Sequence, residues 1–425
     1  MPAAHTILFL GIGGAGMRGL AHLRNSQGNE VIGLDGNPKA LSDPALAEFD
    51  MRTEDSLASA LAEADQVIYT DALTADHPWR QAATAAGRPA RSLYEAEGEF
   101  VKDYRVIAVA GTHGKSSTTG LLAHILLEAG IDLTVRVGAP MPAWDNRNAR
   151  LGSGEWLLIE ADEYQNHFHH FHPEVAVITS IDFDHPDFFA SLEAVHQSFS
   201  TFLGQVSPAG TVVVPEQVQQ RHAAINWPST TISVSTDDSL PVFGDHMKSN
   251  ASLALTVAAQ LGVSQATAAA ALTTWPGIGR RFEQLGVIRD VPVFSDYGHH
   301  PAELAATLLA AQERFPDGRL LVLFEPHTVA RATQFGEAFS EALKSAAGVI
   351  RVPIFRARGE DVSVAAEAAL TQALTSQISG LITTDSLEAG VTALQQEVSN
   401  YDAVLAFTAG SLDAVLRDFF TQKNA

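Results

Sequence analysis

The sequence predicts an α/β fold in three domains. Residues 1–104 read as a Rossmann-like domain, 105–283 as a central P-loop ATPase-like parallel sheet, and 284–425 as a second Rossmann-like domain. Three observations carry this expectation. A chain of 425 residues is too long for one ordinary hydrophobic core. Short apolar runs bounded by turn residues alternate with helical patterns along most of its length, as in parallel sheets covered by helices. Two of those runs end in glycine-rich turns that lead directly into a helix, at 11–16 and at 111–116.

The first domain opens on the strand Ile7–Leu10, followed by Gly11-Ile12-Gly13-Gly14-Ala15-Gly16 and a helix carrying Met17, Leu20, Ala21 and Leu23. A second strand, Val31–Leu34, ends in Asp35, about where a ribose-binding carboxylate stands in a Rossmann unit. Glycines there let the backbone approach a diphosphate at a helix N-terminus. A strand ending at Thr70 completes the series. A diphosphate ligand is the firmer reading and a dinucleotide the weaker one.

The central domain begins with the strand Val106–Ala110, the turn Gly111-Thr112-His113-Gly114-Lys115-Ser116, and a helix bearing Leu121, Leu122 and Ile125. Backbone N–H groups of such a turn cradle phosphates, the lysine reaches the terminal ones, and the serine hydroxyl binds Mg2+. The full pattern wants a further glycine at Val109, so this is a shortened variant. Two later strands end in acidic tips: Trp156–Ile159 runs into Glu160-Ala161-Asp162-Glu163-Tyr164, and Val175–Thr179 leads to Asp182-Phe183-Asp184-His185-Pro186-Asp187. Ligands of parallel sheets sit at the carboxyl ends of strands. Lys115, Ser116, Glu163 and His185 are therefore expected to converge on a nucleotide–metal site. His167, His169, His170 and His172 read as a loop bordering the substrate cleft more naturally than as a metal site. Residues 215–245 show little periodicity, and apolar helices follow at 250–261 and 266–272.

The last domain starts at the strand Val291–Ser295, which ends in Asp296-Tyr297-Gly298-His299-His300-Pro301. Pro301 suits a first helical turn. The strand Leu320–Phe324 leads to Glu325-Pro326-His327, with Arg331 about one helical turn on. Later strands are expected at 349–352, 380–383 and 403–407.

Bulk properties exclude several classes. A net charge of −22 argues against a general binder of nucleic acid or acidic membranes, either of which needs a basic face. There are no cysteines, hence no disulfide, thiolate nucleophile or Cys-based metal site, in keeping with a cytoplasmic location. No signal peptide is evident at the start, and no apolar run approaches the roughly 18 residues of a membrane span.

A phosphate loop with Lys and Ser, and no guanine-reading Asn-Lys-x-Asp, implies ATP and Mg2+. A separate diphosphate turn implies a second phosphorylated ligand, and the Asp/His/Arg set of the last domain a third reactant. Three bound reactants suggest ATP-driven joining of a nucleotide-linked carboxylate to an amine, through phosphoryl transfer and then attack on an acyl phosphate. Over nearly its whole length the chain resembles the Mur ligase family. The resemblance lies in Gly11–Met17, Gly111–Ser116, Glu160–Glu163, Asp184–Asp187, Gly279-Arg280-Arg281-Phe282 and Asp296–Pro301. It implies an amide-forming ligase of peptidoglycan synthesis, active as a monomer or homodimer. It further implies that Gly11, Gly13, Gly14, Ala15, Gly16, Asp35 and Thr70 hold UDP-N-acetylmuramate. Gly111, Thr112, His113, Gly114, Lys115, Ser116, Ser117, Asn250, Arg281 and Asp296 would hold ATP, and Ser116, Glu163 and His185 would bind Mg2+. Lys115, Glu163, His185 and His300 would be catalytic. His299, His327 and Arg331 would face the acceptor, L-alanine being favoured. Glu325-Pro326-His327 with Arg331 resembles the alanine-adding members, and Glu163-Tyr164 the members that add a tripeptide. Members using a carbamoylated middle-domain lysine are disfavoured, since no lysine lies between Lys115 and Lys248. Ser180 stands where the family usually has Asn. A non-catalytic ligase-like binding subunit and, from the first domain alone, a nicotinamide oxidoreductase are the competing classes.

Overall fold

Three sheets, each a run of consecutive strands, organise the chain. The computed structural model describes residues 4–185, 188–356 and 363–424. The first sheet contains β1 (Thr6–Leu10), β2 (Glu30–Leu34), β3 (Asp50–Arg52), β4 (Gln66–Tyr69) and β5 (Ala90–Ser92), all parallel, in the order β3-β2-β1-β4-β5. The second contains β6 (Arg105–Ala110), β7 (Thr134–Arg136), β8 (Ala149–Arg150), β9 (Trp156–Glu160), β10 (Val175–Ile178), β11 (Thr211–Pro215) and β12 (Thr231–Val234). Its order is β12-β11-β10-β6-β9-β7-β8, with only β8 antiparallel to its neighbour. The third contains β13 (Glu283–Ile288), β14 (Val291–Asp296), β15 (Leu320–Phe324), β16 (Gly348–Arg351), β17 (Leu381–Thr383) and β18 (Ala403–Phe407). The order there is β13-β14-β18-β15-β16-β17, and β13 alone is antiparallel.

The central strands explain why the sequence pattern was readable. Leu8 to Leu10, Val106 to Ala110, Val175 to Ile178, Leu320 to Phe324 and Ala403 to Phe407 are buried. Strands covered on both faces read as unbroken apolar runs, and each fully buried Val, Leu, Ile or Phe contributes about 1.5–3 kcal/mol. The edge elements are different. β7 and β8 have three and two residues, and β13 is half-exposed with a bulge between Gln284 and Gly286. None of the three was anticipated. Residues 215–245, expected to be irregular, hold the helix Glu216–Arg221 and β12.

The chain divides into two compact units: the chain up to Asp237 with Ser249–Pro276, and Asp238–Lys248 with the chain from Gly277 onward. The first unit holds two sheets and the second holds one. Among the described residues no helix is long and apolar enough to cross a membrane.

Candidate active site

The first glycine turn follows β1. Gly11 adopts φ +84°, and a Cβ there would lie 2.4 Å from Thr70 Cγ2. Asp35, at the end of β2, accepts the Gly13 N–H at 2.8 Å through Oδ2 and the Asn37 N–H at 2.8 Å through Oδ1. Asp35 thus shapes the turn directly. Gly14 precedes the helix Ala15–Ser26 without a side-chain cap, and Gly16 lies against Leu93. Gly11, Gly13, Gly14, Ala15, Gly16, Asp35 and Thr70 are gathered in this one place.

The second turn is the tighter one. β6 ends at Ala110, and Gly111 turns at φ +136°, where a Cβ would lie 2.2 Å from Thr179 Oγ1 and 2.8 Å from Ser180 N. Gly114 (φ +82°) starts the helix Lys115–Glu128, and a Cβ there would lie 2.6 Å from Asn250 Oδ1. Only glycine fits at either position without strain. The loop following β10 holds the turn from the side. Thr112 N donates to Ser180 O (3.1 Å), His113 N to Ser180 Oγ (2.8 Å), and Asp182 N to Thr112 Oγ1 (2.9 Å). Ser180, a departure from the usual family residue, is thus a working part of the cradle. Ser117 is buried in the first helical turn.

Lys115 Nζ donates to Gly111 O at 2.6 Å and to Glu163 Oε2 at 2.7 Å. Burial works against its charge, but Glu163 and Asp162 outweigh that and raise its pKa above the ordinary lysine value. Lys115 therefore stays a cation. Glu163 is 2% exposed, and its Oε1 is buried without a hydrogen-bond partner, 3.9 Å from His185 Nε2. Ligand atoms of Asp162, Glu163 and His185 all lie within 4.8 Å of one another, the one such acid–histidine group among the described residues. An orphaned buried carboxylate oxygen beside a second carboxylate and an imidazole is a donor set that fits a divalent cation. Ser116 is outside this group. Its hydroxyl donates to Glu160 Oε1 (3.0 Å), and Glu160 Oε2 accepts the Gly138 N–H (2.6 Å). Asp162 had not been singled out, because the chain leaves β9 at Glu160 and strand alternation no longer tells which acid faces the loop. Pro186 and Asp187 of the Asp-His-Pro-Asp motif lie outside the described residues.

The histidines at 167, 169, 170 and 172 form no such ligand group among the described residues. His169 Nε2 lies 2.9 Å from Ser198 O, and His167 stacks on Tyr94.

In the second unit, Asp296 ends β14 and accepts N–H groups from Gly298 (2.8 Å) and Phe282 (2.9 Å). Burial raises its pKa, and Arg281 opposes the rise. Arg281 lies 5.4 Å from the Tyr297 ring. His300 caps the helix Pro301–Arg314: its Nδ1 accepts the Ala302 N–H, and Glu303 answers by accepting from His300 N. The His299 and His327 rings are 5.5 Å apart, and His327 stacks on Phe355 at 5.2 Å. Burial, then His299 and Arg331, lower the His327 pKa to about 3. Arg331 sits on the short helix Val329–Gln334, capped by Thr328 at φ +64°. His299, His327 and Arg331 are thus neighbours.

These features define the class: an α/β protein whose middle sheet sets a nucleotide-phosphate turn and its lysine against an acid–histidine group, an arrangement suited to ATP-driven ligation. Family models agree segment by segment. The "Mur ligase family, catalytic domain" matches residues 6–105, the "Mur ligase middle domain" 109–240, and the "Mur ligase, glutamate ligase domain" 280–410. The UDP-N-acetylmuramate--L-alanine ligase of Thermosynechococcus vestitus is 32% identical over 96% of this chain and 94% of its own length. That of Arthrobacter sp. is 35% identical over 83% and 82%. The chain belongs to the Mur ligase family. The structure of a UDP-N-acetylmuramate-alanine ligase from Thermotoga maritima superimposes with a TM-score of 0.80 over 99% of each chain at 23% identity. A murein peptide ligase from Psychrobacter arcticus gives 0.74 over 99% and 98% at 22%. The likeness of fold bears out the three-domain α/β expectation.

Proposed function

We propose that this chain joins UDP-N-acetylmuramate to L-alanine with hydrolysis of ATP to ADP and phosphate, in peptidoglycan precursor synthesis. The observation that carries the reading is the Lys115–Glu163 contact with Glu163 Oε1 left open beside Asp162 and His185. The UDP-N-acetylmuramate--L-alanine ligases that match most of the chain support the choice of substrates. In this reading Gly111–Ser117 hold the ATP phosphates, and Asn250, Arg281 and Asp296 serve the nucleotide. The residues at 11–16, with Asp35 and Thr70, serve the UDP group. His299, His327 and Arg331 receive the amino acid, with Arg331 suited to its carboxylate. The domains would run 1–104, 105–283 and 284–425, and the protein would work in the cytoplasm, where ATP is made and used.

The substrate carboxylate oxygen attacks the γ-phosphorus, ADP leaves, and an acyl phosphate forms. The alanine amine then attacks the acyl carbon, phosphate leaves, and the amine proton passes to solvent or a nearby base. Lys115, held charged at the turn, neutralises charge on the transferred phosphoryl group. Glu163, His185 and Asp162 would hold Mg2+, which supplies further charge neutralisation when bound. A tripeptide acceptor is the second reading. Glu163-Tyr164, which resembles the members that add a tripeptide, favours it.

Phosphate release from ATP is expected only with UDP-N-acetylmuramate and an acceptor both present. A panel of L-alanine, L-serine, glycine and tripeptide should give the highest kcat/KM with L-alanine. Lys115→Ala should reduce turnover at least about 10²-fold. Turnover unchanged in that variant removes the phosphate-loop assignment, and the highest kcat/KM with tripeptide overturns the choice of alanine.

A further inference from the structure

Between the first glycine turn and the Asp162–Glu163–His185 group runs a continuous row of side-chain contacts within the first unit. Leu93 packs on Gly16. The next residue, Tyr94, stacks on His167 with ring centroids 3.4 Å apart and planes 11° from parallel. His167 meets Tyr164 edge-on at 6.1 Å, and Tyr164 lies 4.6 Å from His185 and 6.0 Å from Phe188. Four rings therefore link the helix that buttresses the diphosphate turn to the group beside Lys115.

The loop carrying the row is held in a costly shape. Gln165 and Asn166 both adopt left-handed conformations (φ +52° and +61°). Phe168 N bonds Asp162 O at 2.8 Å, Asn166 N bonds Glu163 O at 3.0 Å, and the Ser198 hydroxyl fixes the Asn166 side chain. Consecutive left-handed non-glycine residues persist only where surrounding structure over-determines them, and they cluster at ligand clamps. His167 is 7% exposed, with a buried Nδ1 that has no hydrogen-bond partner. Burial lowers its pKa to about 4 against the opposing pull of Asp162, so the ring is neutral at pH 7. Tyr94, His167 and Tyr164 thus offer polarizable ring faces beside sites that are strongly charged.

We propose that Tyr164, backed by the His167–Tyr94 stack, is the specificity surface for the sugar and acyl arm of the UDP-linked substrate. This rests on the ligase reading above. A substrate anchored by its diphosphate at the first turn and reacting through its carboxylate beside Lys115 must lay the intervening sugar and acyl group along the residues joining the two. C–H faces of a sugar and the methyl of an acyl arm suit aromatic rings, which orient them by shape and dispersion.

Steady-state kinetics of the full chain test this, with UDP-N-acetylmuramate and ATP each varied at saturating partners. Tyr164→Ala and His167→Ala should raise KM for UDP-N-acetylmuramate about tenfold while leaving KM for ATP within about twofold. Tyr164→Phe and His167→Phe keep the rings, should melt as wild type does, and should restore that KM. The proposal is overturned if the sugar-nucleotide KM is unchanged in Tyr164→Ala, or if both KM values rise together, which is what a merely structural row would give. In that event UDP-N-acetylmuramate-dependent phosphate release by the wild type, lost in Lys115→Ala, leaves the ligase reading standing. Absence of that release in the wild type removes both.

Discussion

Lys115 and Glu163 hold each other in a place where neither tolerates being alone. The lysine side chain is 14% exposed and the glutamate 3%. Removing one partner of a buried pair strands a charge at a cost of roughly 3–5 kcal/mol, whereas replacing both by apolar groups of similar size is often near neutral. Glu163→Ala is therefore expected to lower unfolding free energy in urea by about that amount. Lys115→Met combined with Glu163→Leu should be clearly more stable than Glu163→Ala alone. A double variant as unstable as the two single losses added together would show that the contact carries no coupling. Each single variant should also lose phosphate release, so stability and turnover part company only in the double variant.

At the scale of elements, the third sheet shows how a motif can look chemical and be structural. Glu325, first residue of the Glu-Pro-His stretch after β15, is 2% exposed. Its two oxygens accept N–H groups from Gly410 (3.1 Å), Ser411 (3.0 Å) and Leu412 (3.0 Å), at the start of the helix Leu412–Asn424. A carboxylate there satisfies donors that the helix cannot, and complements its dipole. Glu325→Ala should cost about 1–3 kcal/mol, and amide hydrogen exchange should quicken first in the opening turn of that helix. Uniform exchange along the helix would contradict a capping role.

For the molecule as a whole, buried histidines are expected to weaken the fold as pH falls. His327 is lowered to about 3 and His167 to about 4, chiefly by burial. Their ordinary value is about 6.5, so the unfolded chain takes up protons that the folded chain refuses. The stability tied to them is complete above pH 6.5 and is lost progressively as pH falls toward 4 and 3. The urea midpoint should fall from pH 7 to pH 4, and His327→Phe should flatten that fall; an unchanged slope would exclude His327 as a contributor. The same contrast between buried and exposed decided what the sequence revealed. β1, β6, β10, β15 and β18 were legible because central strands are apolar without interruption, and both glycine turns because backbone geometry there admits little else. β7, β8 and β13 were not, since short or half-exposed edges carry no periodic pattern. That Lys115, Glu163 and His185 lie together was legible from their places at strand ends. The part of Asp162, the hydroxyl contact of Ser180 and the capping geometry of His300 depend on how loops fold back, which residue spacing does not encode.

The phosphate turn is tied down by contacts within its own chain. Ser180 and Asp182, from the loop after β10, and Lys115, from the turn itself, bind its backbone and side chains, and two left-handed glycines fix its path. A flexible loop must be ordered at the moment of binding, which slows capture and weakens it. Here the chain's own contacts supply that ordering. Nucleotide association should then report encounter and desolvation rather than loop closure, and exchange of ADP for ATP between turnovers need not wait for the cradle to reform.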